Sequence, residues 1–261
     1  MENNSVHLSI ENHVGIITLN RPEVGNALDL QMARELMDVA IFCSESEKIR
    51  AVVITGAGNK FSVGGDLKSF ANEGDEISLH LKSVTAYLHQ AISYLVRMNK
   101  PLIGAVNGVA AGAGMSLACA CDLVYASENS KFVMAYNKIG LTPDGSGSYF
   151  LPRIVGMKRA LELMYTNRLL GAKEANEWGI VNHVVPNDKL MAGVLDLAET
   201  LANGPMNAFG ATKKLFYHSI QETLESQMSM ESLFLAERAC SNEGEEGISA
   251  FLEKREPDYL K

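Results

Sequence analysis

A chain of 261 residues, 47% of them apolar, can bury one large core, and a formal net charge of -8 without any long Lys/Arg run argues against nucleic acid or an anionic membrane as its main partner. No segment reaches the roughly 20 apolar residues of a membrane span, and the first residues, MENNSVHLSIENHVGIITLN, carry no basic region followed by an apolar block, so the expected location is the cytoplasm. Four cysteines are no disulfide framework at this length; Cys119 and Cys121 read as reduced packing residues pointing apart on a helix, and no His/Cys/Asp cluster has metal spacing.

In chain order, VHLSIEN and VGIITLN alternate as strands separated near His13, and Arg21-Pro22 ends the second. Leu28, Met32, Leu36, Met37 and Ala40 then recur at helical spacing. AVVITGAG is a short, wholly apolar run, which suits a strand buried on both faces. A helix from about Ile77 to Arg97, the strand PLIGAVNG, a Gly/Ala-rich helix start and the strand CDLVYA continue the alternation, which predicts an α/β fold with largely parallel pairing and no convincing internal sequence repeat. Beyond Gly204-Pro205 the pattern is helical. Leu215, Phe216, Ile220, Leu224, Met228, Met230, Leu233, Phe234 and Leu235 supply apolar surface that must pack on the core or on another subunit, so an oligomer is expected. The expected organisation is a core over 1–203 and a helical oligomerisation region over 204–261.

Two stretches look like backbone devices, KFSVGGDLKSF and NGVAAGAGMSLACACD. Each follows a buried strand and leads into a helix, where free amide groups hold an anion or a developing oxyanion. Neither has the order of a nucleotide loop, and close packing of a helix on a sheet explains the small residues equally well.

Those two stretches, with ITLNRPEVGNAL, VVITGAGNKFSVGGDLKSF, KPLIGAVNGVAAGAGMSLACACDLVYA, FVMAYNKIGLTPDGSGSYFLPRIVG, EANEWGIVNHVV and EGISAFLEKREPDY, resemble the enoyl-CoA hydratase/isomerase (crotonase) superfamily over nearly the whole chain. The resemblance implies a ββα spiral core with a C-terminal helical trimerisation region, assembled as a homotrimer or a dimer of trimers. It implies an acyl-CoA thioester substrate whose carbonyl oxygen sits between the amides of Gly65 and Ala113, with no cofactor beyond the CoA moiety itself. For the CoA moiety it points to the backbone from Val63 through Asp66 and Leu67 to Lys68, to the Arg21 to Val24 turn, and to a basic C-terminal residue such as Lys254. Two such amide dipoles stabilise the enolate formed when a proton leaves the acyl chain.

The same resemblance locates the acid. Where hydratases of the family carry two glutamates, this chain has Ser116 and Tyr136, and neither replaces a carboxylate as base at neutral pH, which disfavours hydration. It does carry Asp144, in TPDGSG. Pro-Asp-Gly is turn chemistry and an Asp before SGSYFLPRIVG suits a helix cap; read from the residues alone, that is the commoner role. The family likeness makes Asp144 the single base of the isomerase branch, similar to epoxyphenylacetyl-CoA isomerases of phenylacetate catabolism. The rival is the 4-chlorobenzoyl-CoA dehalogenase pattern, in which Asp144 attacks the ring and His89 activates water, although Tyr136 stands where that pattern has tryptophan. His89 also reads as a packed or surface histidine. A non-catalytic acyl-CoA binder stays open as a third class. His89, Met115, Ser116, Tyr136 and Leu141 are the candidates for the acyl pocket.

Overall fold

The computed structural model describes residues 5–260. β1 (Val6–Glu11) and β2 (Val14–Leu19) form an antiparallel hairpin, in which Asn12 and His13 take the left-handed conformations (φ 47° and 65°) that a two-residue turn requires. α1 (Leu30–Glu45) begins later than the apolar spacing predicts. Asp29 caps it, accepting the Met32 N–H at 2.8 Å, and Leu28 is left outside to pair with Gly65.

The chain then repeats one operation. A strand enters the larger sheet, a short strand enters a second sheet, and a helix follows: β3 (Ala51–Gly56), β4 (Lys60–Ser62) and α2 (Leu67–Ala71), extended by α3 (Ile77–Arg97); β5 (Leu102–Val106), β6 (Val109–Ala111) and α4 (Ala113–Cys119); β7 (Leu123–Ser127), β8 (Lys131–Val133) and α5 (Gly147–Val155). Neighbours β2, β3, β5 and β7 are parallel, as are β4, β6 and β8, so the repetition winds into a ββα spiral. The repeat escapes a search for similar residues because each turn needs only an apolar strand and a tight exit. α6 (Met157–Thr166), β9 (Leu170–Gly171), α7 (Ala172–Glu177) and β10 (His183–Val185) close the edges, β9 antiparallel to β8 and β10 parallel to β7. α8 (Leu190–Ala202) returns over the larger sheet.

Side-chain alternation explains why the central strands are apolar throughout. Val14, Ile16, Ala51, Val53, Ile103 and Ala105 face α8, while Ile17, Leu19, Val52, Ile54, Leu102 and Val106 face the main core beneath α1 and α3. Each such side chain contributes roughly 1.5–3 kcal/mol on burial. The thiols of Cys119 and Cys121 are unpaired, and burial pushes that of Cys119 up to about 12; Cys121 lies beyond the end of α4, so the expected helical separation of the two does not apply.

One buried cation holds α1 to the core. Lys100, 4% exposed, donates from Nζ to the carbonyls of Cys43 (2.6 Å), Ser44 (3.0 Å) and Ser46 (2.8 Å), the terminal carbonyls that a helix leaves unpaired. Lys100→Met keeps the stem and strands those acceptors. Urea unfolding should show a loss of about 1–3 kcal/mol, and an unchanged midpoint would mean the carbonyls find other partners.

The last helices, α9 (Met206–Ser219), α10 (Leu224–Ala239) and α11 (Asn242–Glu253), are tied down by polar contacts. Lys213 of α9 pairs with Asp122 at 2.7 Å, and the Glu243 carboxylate of α11 accepts the Asn207 and Ala208 amides at the start of α9. They leave Phe216, Leu224, Leu233, Leu235, Phe251 and Leu252 exposed.

Candidate active site

The exits of β4 and β6 meet. Gly64 (φ 93°) and Gly112 (φ 50°) take left-handed conformations, and a Cβ on Gly64 would lie 2.8 Å from the Ala111 carbonyl oxygen, so both loops require glycine to approach this closely. Leu28 occupies one side of the following segment, its N–H donating to Gly64 O (2.7 Å) and its carbonyl accepting from Asp66 N–H (2.9 Å). In such a parallel bridge the intervening residue turns its own amide the other way, so the Gly65 N–H faces away from Leu28. Ala113 is the first residue of α4 and has no intrahelical acceptor for its N–H. Both residues line one cavity of about 340 Å³, and among the described residues neither amide has an acceptor.

The rest of the wall is apolar and comes mainly from α2, α3 and the segment after β8: Phe70, Leu81, Val84, Leu88, Ile139 and Leu141. Asp144 is the one acid lining it among the described residues. The question of cap or site is answered by contacts. α5 is preceded by Ser146 and receives no side-chain cap, whereas the Asp144 carboxylate Oδ1 accepts from the Tyr136 hydroxyl at 2.5 Å. Two non-glycine residues in left-handed conformations, Ala135 (φ 58°) and Ser146 (φ 68°), flank this pair, a concentration of backbone strain typical of functional segments.

Of the residues expected at the site, Gly65, Ala113, Asp144, Tyr136 and Leu141 share the cavity, and Val63 and Leu67 join them on its wall. Others stand elsewhere. Met115 and Ser116 are fully buried on α4, and Ser116 touches the cavity only through Tyr136, its Oγ 3.2 Å from the phenol oxygen. His89 sits exposed on α3 outside the cavity wall, because Leu88, on its buried face, takes the inward position; the His89 Nε2 accepts the Gly145 N–H at 3.1 Å. Val24 and Lys68 are exposed and off the wall, and Asp66 is paired with Arg21 at 3.0 Å; burial pushes its carboxyl up, but the Ser69 N–H that it caps and the Arg21 guanidinium together hold it below the usual range. Arg21 also binds Asp29 at 3.1 Å, so that guanidinium is committed within the loop. Lys254 ends α11, exposed. The inward face of α3 and Lys138, also on the wall, were not anticipated; Leu81, Val84 and Leu88 at helical spacing were the available signal. A larger hollow of about 730 Å³ beneath α9 lacks such a set, and its charged pair, Lys213 and Asp122, is already joined.

A ββα spiral whose strand exits turn two amides and one acid toward an apolar cavity defines a crotonase-type α/β protein. The family model for enoyl-CoA hydratase/isomerase matches residues 9–261, and the chain belongs to that family. It is 39% identical over 259 residues to a probable enoyl-CoA hydratase of Rhodobacter capsulatus, covering 99% of each chain. It is 37% identical over 227 residues to 4-chlorobenzoyl coenzyme A dehalogenase-2 of Arthrobacter sp, covering 86% of this chain and 82% of that one. It is 36% identical over 252 residues to the 1,2-epoxyphenylacetyl-CoA isomerase of Escherichia coli, covering 96% of each.

Proposed function

We infer that the chain is an acyl-CoA isomerase that moves a double bond, or rearranges a ring, by one-base proton transfer. The observation that carries this reading is Asp144, among the described residues the single carboxyl group lining the same cavity as Gly65 and Ala113. A thioester oxygen held by both amides makes the adjacent carbon acidic. Asp144 takes the α proton, the amides hold the dienolate, and the same carboxyl group returns a proton at the γ carbon. Val63 and Leu67, at the side of the cavity near Gly65, suit the thioester end of a CoA conjugate, whose CoA part belongs to the substrate. The exposed apolar residues of α9 to α11 support association with further copies of the chain, and the family likeness makes that assembly a homotrimer or dimer of trimers.

Neither rival matches the geometry as well. Hydration needs a second acid-base group, and the Tyr136 phenol, held well above its usual range by burial and by Asp144, keeps its proton. Ring attack by Asp144 with water activated by His89 needs a free imidazole nitrogen at the cavity, whereas His89 is off the lining and its Nε2 is engaged with the Gly145 N–H.

The deciding experiment incubates a 3-enoyl-CoA deuterated at the α carbon in ordinary water. A one-base mechanism delivers part of the label to the γ carbon of the 2-enoyl product, read by mass spectrometry. A 3-hydroxyacyl-CoA as main product, or 4-hydroxybenzoyl-CoA formed from the 4-chloro compound, would replace this reading with a hydratase or a dehalogenase.

A further inference from the structure

The one-base reading leaves two polar side chains behind the acid without a task. Ser116, fully buried on α4, stands 3.2 Å from the Tyr136 hydroxyl, which stands 2.5 Å from Asp144 Oδ1. The surroundings leave this line little room. A Cβ on Gly147 would lie 2.4 Å from Ser116 Oγ, and one on Gly145 would lie 3.3 Å from Ser116 Cβ. The direction of the hydrogen bonds follows from counting protons. A phenol has one, and here it goes to the carboxylate; the serine hydroxyl therefore donates its own to the phenol oxygen. Among the described residues Asp144 Oδ2 has no partner, and the next peptide is held separately by His89 Nε2 on the Gly145 N–H.

We propose that Tyr136 is a positioning residue that fixes the Asp144 carboxylate through Oδ1, that Ser116 sets the direction of its hydrogen, and that Oδ2 is thereby the one atom that collects and returns the proton. Which residue is the base rests on the isomerase reading; the clamp itself does not. A hydrogen bond of this length to a charged acceptor is among the strong ones. It stops the carboxylate from turning Oδ1 into the cavity, so Oδ2 alone faces both carbons of the substrate and the reacting oxygen is prealigned.

The test is Tyr136→Phe, which keeps the ring on the cavity wall and removes only the hydroxyl, with Ser116→Ala as the milder companion. In protein labelled with ¹³C at aspartate carboxyl carbons and held at one fixed pH, the Asp144 signal, assigned with Asp144→Asn, should be displaced in Tyr136→Phe, which removes the hydrogen bond to Oδ1, and displaced less in Ser116→Ala. With a 3-enoyl-CoA, kcat should fall roughly 10- to 100-fold in Tyr136→Phe with KM nearly constant. An undisplaced signal overturns the clamp. If Tyr136→Phe does not fold, an undisplaced signal in Ser116→Ala overturns it equally. A displaced signal beside full turnover by Asp144→Asn sinks the isomerase reading and leaves the clamp standing.

Discussion

Asp144→Asn is expected to lower turnover of a 3-enoyl-CoA by roughly 10²- to 10⁴-fold, the range ascribed to a positioned acid-base group. The substitution is nearly isosteric. The amide oxygen of the new side chain can still accept the Tyr136 hydroxyl bond that Asp144 Oδ1 accepts at 2.5 Å, so the loop before α5 should hold its shape. What disappears is the capacity to carry a proton. Binding of the thioester depends on the Gly65 and Ala113 amides and on the apolar wall, which remain, so the dissociation constant of a saturated acyl-CoA measured by calorimetry should change little. A loss confined to kcat would mark Asp144 as acting in the transition state alone. Full turnover by Asp144→Asn would place the base elsewhere, whereas an unaltered chain that binds the thioester and turns none over would be a binder.

The parallel sheet was readable because its strands are apolar on both faces, and only burial between two layers accounts for AVVITG or LIGAV; the spiral winding came from the family resemblance alone. The amide pair was readable for a related reason. Glycines after a strand and before a helix announce a loop that approaches something closely, although which amides are free becomes evident only from the bond between Leu28 and Gly64. The acid was ambiguous. TPDG describes a turn correctly, since Gly147 N–H does donate to the Asp144 carbonyl at 3.0 Å, and nothing local says that the side chain points to Tyr136 instead of to α5. His89 was ambiguous too: Leu88 beside it lines the cavity while His89 lies on the exposed side of α3, yet its Nε2 reaches the Gly145 N–H next to Asp144, a contact that no local pattern announces. Arg21 could not be judged from sequence either, because its partner Asp66 is brought beside it only by the bridge between Leu28 and Gly65.

The second large effect concerns an amide that no ordinary side-chain substitution removes. Ala113→Pro deletes the donor while respecting the helix, because proline is well accommodated at the first helical position, where the N–H has no intrahelical partner. The residue before it is compatible as well: Gly112, at φ 50° and ψ -123°, has a conformation open to glycine and outside the helical region that a following proline disfavours. The ring's Cδ then stands where the hydrogen stood, so the thioester oxygen meets a methylene in place of a dipole. Catalysis should fall by roughly 10²- to 10³-fold, as for loss of one oxyanion donor elsewhere, with the thermal midpoint nearly retained. Ala113→Ser supplies the control, since it changes the side chain and keeps the amide; it should hold most of the activity. Equal loss in both variants would attribute the effect to crowding at a residue only 4% exposed, and full activity in Ala113→Pro would show that the Gly65 amide carries the oxyanion alone.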